Sequence, residues 1–283
     1  MAKRTDVAKP IDRASRERIP RPRARKRFGQ HFLEAAWVTK LIESLSASSG
    51  DTFLEIGPGT GALTIPLAQR AGRVVAVEID RDLADALHAR VPAHVRIVSG
   101  DFLALNLSTL LAEEASPVRV VGNLPYNVSS PILFALIGAS KGGAAISDAT
   151  LMLQKEVADR LAARPGAREY GALAIQAALT ADIERVLVLP PGAFRPPPKV
   201  WSAVVRLRFR QPTFDAGSAE TFERVVRGVF LQRRKTLANA LKPVAHALGV
   251  DATDLIEKAG LDGSRRPETL TPAEFGRLAR AVL

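Results

Sequence analysis

A short polar motif, Asn123-Leu-Pro125-Tyr126, directly follows an apolar run and could hold an amine for reaction. An exocyclic adenine amine is a poor nucleophile because its lone pair is drawn into the ring. The Asn123 side-chain oxygen and the Pro125 carbonyl could accept its two hydrogens and turn the lone pair toward a methyl group. Tyr126 offers a flat face for stacking on a base taken out of its helix. We therefore predict Asn123, Pro125 and Tyr126 as catalytic residues, although the motif suits an amine on a nucleic-acid base and an amide nitrogen equally.

A glycine-rich turn could place the group that supplies the methyl. The segment Glu55-Ile-Gly57-Pro-Gly59-Thr-Gly61 ends an apolar run, and glycines there let the backbone approach a ligand closely. Glu78 lies 21 positions after Gly57, near the spacing of roughly 20 expected for an acid that bonds ribose hydroxyls. The GxGxG spacing differs from the GxGxxG of nicotinamide-binding folds and favours S-adenosylmethionine as the cofactor. The competing interpretation is a tight structural turn and a surface acid.

Asp101 follows a third apolar run, within Gly100-Asp101-Phe102. An aspartate at the end of a strand can accept a hydrogen bond from the amino group of the cofactor adenine. Alone, Asp101 would be interpreted as a residue that caps a loop. As the third polar site in order along the chain, it is a candidate cofactor ligand.

The elements that must position these residues alternate between short apolar strands and helices. This alternation predicts an α/β fold, in which helices cover both faces of a parallel sheet. The predicted strands are 52–56, 74–79, 95–98, 118–121 and 151–154. The predicted helices are 37–45, 61–70, 80–90, 155–163 and one capped by Ser129 and Ser130 with Pro131 at its first position.

The last third of the chain has a different pattern. Two β-like segments, 185–189 and 203–207, are joined by a proline-rich loop and predict a hairpin at one sheet edge. Helical spacing follows in four segments, which are 219–241, 244–248, 251–259 and 272–282. We therefore predict three parts: an arm over 1–27, a cofactor-binding methyltransferase domain over 28–208, and a small all-helical C-terminal domain over 209–283 that contacts RNA.

The charge of the chain favours a polyanionic partner. Its formal net charge is +11 over 283 residues, and nucleic acid is the first partner to expect. Most of the excess falls in residues 1–27, whose cations and prolines predict a disordered basic arm. This arm is equally well interpreted as a solvated tail and as a tether to RNA phosphates.

The composition excludes several chemistries. The chain has no cysteine, which excludes disulfides, cysteine-based zinc sites and thiolate-held iron–sulfur clusters. Its four histidines lack metal-ligand spacing, so we predict no metal. No apolar run is long enough to span a membrane and the N-terminus lacks a secretory signal, so we expect a cytoplasmic protein without a membrane partner.

Seven segments in combination resemble the rRNA adenine N6,N6-dimethyltransferase family, and within it the small-subunit type A branch. They are Arg27-Phe-Gly-Gln-His-Phe-Leu33, Glu55-Ile-Gly-Pro-Gly-Thr-Gly61, Val77-Glu-Ile-Asp80, Gly122-Asn-Leu-Pro-Tyr-Asn127, Leu153-Gln-Lys-Glu156, Pro196-Pro-Pro-Lys-Val200 and Gln232-Arg-Arg-Lys-Thr236. The resemblance covers the chain from about residue 25 to its C-terminus. It implies a Rossmann-like class I methyltransferase sheet plus a small helical domain.

The resemblance also implies roles for individual residues. His31 and Leu33 would line the cofactor pocket, Gly57 would contact the cofactor through its backbone, and Asn123 would bridge cofactor and target amine. Glu78 would bind the ribose and Asp101 the adenine. The implied activity is dimethylation of two adjacent adenosines in the 3′-terminal hairpin loop of small-subunit (16S) rRNA, late in assembly of the subunit. One departure is His31, where the family often has asparagine.

The expected partners are the small ribosomal subunit and its rRNA, bound by a monomer. We predict substrate contacts at Arg233, Arg234 and Lys235, on the basic face of a helix from Arg224 to Leu241. A merely solvated face is the alternative. Phe194 could stack on the flipped base opposite Tyr126, and core packing is the competing explanation for this ring.

Three rival functions stay open. A large-subunit rRNA methyltransferase of the antibiotic-resistance type shares the catalytic motifs. A non-catalytic RNA-binding assembly or transcription factor could use the same fold, although the intact Asn123–Tyr126 motif argues against it. A nicotinamide dehydrogenase is the most distant alternative.

Overall fold

A seven-stranded sheet forms the centre of the protein. The computed structural model describes residues 31–114, 117–141, 143 and 145–282, so the predicted arm over 1–27 lies outside the described residues. The strands are β1 (Phe32–Leu33), β2 (Thr52–Ile56), β3 (Arg73–Glu78), β4 (Val95–Ser99), β5 (Val118–Asn123), β6 (Ile146–Gln154), β7 (Ala181–Leu189), β8 (Phe194–Arg195) and β9 (Ser202–Phe209). The sheet order is β4-β3-β2-β5-β6-β9-β7, and β1 pairs with β8 in a separate two-stranded sheet.

Parallel pairing joins the first five strands of this order. β9 then runs antiparallel to both β6 and β7, so it lies inside the sheet while β7 forms the edge. The predicted hairpin partners do pair. The carboxyl ends of β2, β3, β4, β5 and β6 meet at one edge, where ligands bind in open α/β sheets.

Eleven α-helices are assigned among the described residues. They are α1 (Ala35–Leu45), α2 (Thr64–Ala68), α3 (Arg81–His88), α4 (Leu107–Leu110), α5 (Ser129–Lys141), α6 (Lys155–Leu161), α7 (Ala172–Thr180), α8 (Ala219–Phe230), α9 (Leu237–Leu248), α10 (Ala252–Lys258) and α11 (Pro272–Arg280). None of them is long and apolar enough to cross a lipid bilayer.

Each sheet face is buried under helices. On one face, α1 and α2 pack through Leu41 and Leu67 onto Val74 and Val204. On the other face, apolar residues of α5, α6 and α7 pack against alternate residues of the same strands. The fold class predicted from the alternating pattern is thus confirmed, as is the helical region at the C-terminus.

The helical region has its own buried cluster. Phe222, Val226, Leu241 and Phe275 are fully buried and draw α8, α9 and α11 together. This cluster also includes residues of α7, which belongs to the sheet-bearing part of the chain. The division into domains at residue 208 therefore stays a prediction.

Three details of the predicted elements are wrong. Helix α7 was not predicted, because seven of its nine residues are buried and it lacks a polar stripe. Helix α5 begins at Ser129, so Pro131 is its third residue and not its first. The segment 219–241 is not one helix, since residues 231–236 leave the helical path between α8 and α9.

Candidate active site

The glycine-rich turn leaves β2 at the carboxyl edge of the sheet. Gly57 and Gly59 have φ angles of 69° and 57°, in the left-handed region that favours glycine. The N–H of Gly57 donates to the Val77 carbonyl at 2.9 Å, which ties the turn to β3. A Cβ at Gly57 would meet no heavy atom within 4 Å. The backbone of this turn therefore faces open space into which a ligand can approach.

A cleft of about 100 Å³ opens beside this turn. It brings together seven of the twelve predicted site residues, which are His31, Leu33, Gly57, Glu78, Asn123, Pro125 and Tyr126. These residues come from segments up to 95 positions apart: five lie at or just after the ends of the parallel strands β2, β3 and β5, and His31 and Leu33 lie at β1. The other five predicted residues lie outside its lining.

Glu78 is a buried carboxylate held by the backbone. It lies at the end of β3, is 4% exposed, and lines the cleft. Its Oε1 accepts the N–H of Asp80 and its Oε2 accepts the N–H of Gly59, both at 2.9 Å. Because each carboxylate oxygen has further lone pairs, Glu78 can still accept from ribose hydroxyls in a fixed orientation.

Glu55 is a pocket residue that the sequence analysis did not single out. It lies inside β2, is 1% exposed, and lines the cleft. Its Oε2 has no hydrogen-bond partner among the described residues. Burial, together with a smaller effect from the charge of Glu78, raises the pKa of Glu55 to about 7. An acid within the apolar strand Thr52–Ile56 was the signal that could have identified it, because buried acids are rare without a function.

Asp101 lies after β4 and is not among the residues that line this cleft. Its side chain is exposed, and its Oδ1 accepts the N–H of Leu103 at 3.0 Å. This bond caps the short 3₁₀-helix Phe102–Ala104. The capping interpretation therefore describes the structure, and the contact with a cofactor adenine stays a prediction.

Asn123 ends β5 with its amide oriented by the backbone of another segment. Its Nδ2 donates to the His31 carbonyl at 2.9 Å. Because a carbonyl oxygen only accepts, this bond fixes which end of the amide faces His31. The Oδ1 atom is therefore left to accept a hydrogen bond. Gly122 lets this strand end approach its neighbour, since a Cβ there would lie 2.9 Å from the Ile56 carbonyl.

The Pro125 carbonyl is already engaged in a turn. It accepts the N–H of Val128 at 3.1 Å, which closes the turn that leads into α5. A carbonyl has a second lone pair, so Pro125 retains the capacity for one more hydrogen bond. Its contact with a target amine stays a prediction.

Tyr126 is a half-buried side chain held by a hydrogen bond at its hydroxyl and by a ring stacked beside it. Its hydroxyl is hydrogen-bonded to the Ser202 Oγ at 2.7 Å, and burial raises the pKa of the phenol, so it is neutral at physiological pH. The His31 ring stacks beside it, with centroids 5.5 Å apart and planes at 27°. The His31 Nδ1 in turn bonds the Pro196 carbonyl at 2.8 Å and therefore carries the proton.

Phe194 is 2% exposed and packs in the cluster beneath α1. It belongs to β8, where it pairs with Leu33, itself a buried residue of the cleft wall. Core packing thus accounts for the ring as the structure has it. Stacking of Phe194 on a target base stays a prediction that requires the ring to turn out of this cluster.

The three predicted RNA contacts lie in the turn between α8 and α9, so the prediction that they share a helical face is wrong. Arg233 bonds Glu268 through its Nε at 2.9 Å and also donates to the Arg168 carbonyl. These bonds join the turn to two other loops. Arg234 and Lys235 are exposed and remain accessible to a partner.

Comparison with known proteins identifies the family of the chain. The sequence profile described as Ribosomal RNA adenine dimethylase matches residues 21–280. The chain is 45% identical to Ribosomal RNA small subunit methyltransferase A of Acinetobacter baylyi, over 91% of this chain and 92% of the relative. It is 44% identical to the protein of the same name from Geobacter sulfurreducens, over 92% of this chain and 96% of the relative.

Solved structures agree with this similarity. A dimethyladenosine transferase from Plasmodium falciparum superposes with a TM-score of 0.75 and 26% identity, covering 88% of this chain and 96% of that one. The 23S rRNA methyltransferase ErmE superposes with a TM-score of 0.63 and 28% identity, covering 89% and 99%.

Proposed function

The chain belongs to the ribosomal RNA adenine dimethylase family, and from that premise we propose that it dimethylates N6 of adenines in small-subunit rRNA. The target would be two adjacent adenosines in the 3′-terminal hairpin loop. The single observation that carries the proposal is the Asn123 amide, whose Nδ2 is held by the His31 carbonyl inside the cleft. Its Oδ1 is thereby presented as an acceptor for an amine.

The residues of the cleft fit S-adenosylmethionine as the cofactor. This molecule carries positive charge, and the cleft contains the buried carboxyls of Glu55 and Glu78. The unpartnered Oε2 of Glu55 is suited to an ammonium group, and Glu78 to ribose hydroxyls. The open backbone at Gly57 lets a ligand approach closely. When bound, S-adenosylmethionine supplies an electrophilic methyl group.

Asn123 and Pro125 would hold the target amine. The Asn123 Oδ1 and the Pro125 carbonyl accept its two hydrogens, which turns the nitrogen lone pair toward the methyl group. No strong base is needed at this step, because the amine loses its proton to water after the transfer. Positioning and exclusion of water would provide most of the rate. A second round at the same nitrogen gives the dimethyl product.

Tyr126 would bind the base that carries the amine. Its neutral ring is fixed by Ser202 at one end, so it offers a rigid apolar face for stacking. His31 flanks this ring and, through its carbonyl, also orients Asn123. We propose that His31 couples the base-binding and amine-binding parts of the site.

The partner would be the small ribosomal subunit, bound through rRNA phosphates. The net charge of +11 supports this proposal, and Arg234 and Lys235 are exposed for such contacts. We propose that the protein acts in the cytoplasm, as a monomer, late in assembly of the subunit.

Transfer of labelled methyl from S-adenosylmethionine tests the proposal. Unmethylated small subunits, large subunits and naked large-subunit RNA are each incubated with the enzyme. Label near four methyls per small subunit is expected, because two adenosines each take two. Label only on large-subunit RNA would contradict the substrate and favour a large-subunit rRNA methyltransferase, as the 23S rRNA methyltransferase ErmE is. Cofactor binding without any transfer would favour a non-catalytic RNA-binding factor.

A further inference from the structure

Among the phenylalanine, tyrosine and tryptophan side chains of the described residues, Trp201 is the one that is exposed, at 52%. The second tryptophan, Trp37, instead packs against the buried cluster under α1 and has the Lys40 Nζ 4.4 Å above its ring. An exposed indole offers a large apolar face to water, which is favourable to cover. The position of Trp201 and the charges near it indicate what kind of partner covers the indole.

The Trp201 backbone lies one residue from Ser202, a support of the proposed base-binding residue Tyr126. Its carbonyl accepts the Lys155 N–H at 2.9 Å, which anchors the backbone at the carboxyl edge of the sheet. The following residue, Ser202, holds the Tyr126 hydroxyl at 2.7 Å. Consecutive Cα atoms are about 3.8 Å apart. The Cα of Trp201 therefore lies this distance from the Cα of Ser202, the residue that holds Tyr126.

The surroundings of Trp201 combine apolar and positive surface. Val200 and Val188 are also exposed, and Val188 pairs with Ala203 near the start of β9. Lys155 and Lys199 lie close to Trp201 along the backbone, and Arg185 lies on β7, where the neighbouring Glu184 is paired with Arg208. A single carboxylate, that of Asp159, is shared by Lys155 and Arg185. The charged residues around Trp201 therefore keep a net positive charge.

We propose that Trp201 stacks on a base that flanks the target adenine in a single-stranded loop of the RNA. Stacking on an aromatic ring beside cations is how proteins bind unpaired nucleotides. The Trp201 backbone is one residue from Ser202, which holds Tyr126, and this position favours an RNA strand over a protein partner. This inference rests on the proposed function, since it deepens the recognition of the same substrate. It makes Trp201 a positioning residue that holds the strand while the target base enters the cleft.

The first test is steady-state methylation of small subunits by Trp201→Ala, Trp201→Phe and the matched control Trp37→Phe. We expect Trp201→Ala to raise KM for the subunit about 10-fold, with kcat and cofactor affinity nearly unchanged. Trp201→Phe should recover most of this loss, and Trp37→Phe should behave as the wild type. An unchanged KM in Trp201→Ala contradicts the inference.

The second test uses tryptophan fluorescence and does not depend on catalysis. In the Trp37→Phe variant, Trp201 is the sole tryptophan, and a synthetic RNA hairpin with unmethylated loop adenosines should quench its emission. Absence of quenching, with KM raised only for whole subunits, would assign Trp201 to a ribosomal protein and overturn the proposal. If the wild type methylates no rRNA, the proposed function fails, and the quenching result still decides the role of Trp201.

Discussion

The cleft at the carboxyl edge of the sheet and the helical region after residue 218 are built in opposite ways. In the cleft, polar side chains are held by backbone groups, as Glu78 is by two N–H donors and Asn123 by a carbonyl. In the helical region, apolar side chains such as Phe275 fill the centre, and cations lie at the rim. We therefore expect the cleft to govern the chemistry of the protein and the helical centre to govern its stability.

Phe275→Ala tests the stability half of this comparison and has the largest expected effect. Phe275 is fully buried, 5.8 Å from the Phe230 ring. Its removal should lower the free energy of unfolding by about 3–5 kcal/mol, measured by denaturant titration. The rate per folded molecule should change little. Leu231→Ala is the control, because Leu231 is 85% exposed and its loss should cost less than about 0.5 kcal/mol. A fall in kcat per folded molecule would contradict the claim that the helical centre governs stability and not chemistry.

Asn123→Ala tests the chemical half. Loss of one preorganised polar group should lower kcat by about 10²-fold or more, while the hydrogen bond to His31 costs only about 1 kcal/mol of stability. Methyl transfer to small subunits and thermal unfolding measure the two effects. The neighbouring exposed Asn127 provides the control Asn127→Ala, which should keep normal turnover. Normal turnover in Asn123→Ala itself would remove Asn123 from the mechanism.

Glu55→Gln tests whether the cleft has a functional group that lowers stability, because a buried acid inside the sheet should destabilise the folded protein when it ionises. In the unfolded chain, Glu55 ionises as the pH rises above its ordinary pKa of 4.5. In the folded protein, burial raises this pKa to about 7. The folded state therefore binds more protons in this window, and the stability of the unliganded protein falls as pH rises from 4.5 to 7. Glu55→Gln should remove this loss, which is at most about 3 kcal/mol.

The same substitution should weaken binding of the cationic cofactor. Wild-type affinity should rise as pH passes through about 7 and Glu55 ionises. Calorimetry at pH 6 and pH 8 should show this rise, and Glu55→Gln should abolish it. The exposed Glu43 gives the control Glu43→Gln. His31→Asn separates any contribution of the ring that lines the same cleft. A pH dependence that survives in Glu55→Gln contradicts this account of Glu55.

The smallest effect is expected at the rim of the helical region. Arg234→Ala with Lys235→Ala should reduce the slope of log affinity against log salt for small subunits by about two. Catalysis on bound subunits should be unaffected. The double variant Lys242→Ala with Lys258→Ala removes the same charge from other exposed positions. Equal losses in both pairs would indicate a general charge effect and no local contact at the turn.

The two regions also differ in how well the sequence predicts them. At the cleft, strands β2, β3, β4 and β5 carry the motif residues at their ends, and parallel pairing alone brings those ends together. Five predicted residues accordingly line one cleft, and His31 and Leu33 join them from the segment at β1. The two-residue strands β1 and β8 have no comparable signal, because they pair across about 160 positions with no local pattern.

In the helical region the periodicity predicts helices but not where they end. The turn at 231–236 interrupts a continuous apolar pattern, and a long-range ion pair between Arg233 and Glu268 helps to hold it. No local residue pattern encodes that contact. Helix α7 was missed for a related reason, since it is buried on nearly all sides and therefore lacks the polar face on which periodicity depends.

The most direct test of the central claim is the identity of the modified nucleoside. Unmethylated small subunits are treated with S-adenosylmethionine and either the wild-type enzyme or Asn123→Ala, and the rRNA is digested and analysed by mass spectrometry. The account predicts N6,N6-dimethyladenosine at two adjacent positions of the 3′-terminal hairpin loop with the wild type, and almost none in the same time with Asn123→Ala. Methylation at a different atom or base, or equal yields from the two enzymes, would contradict it.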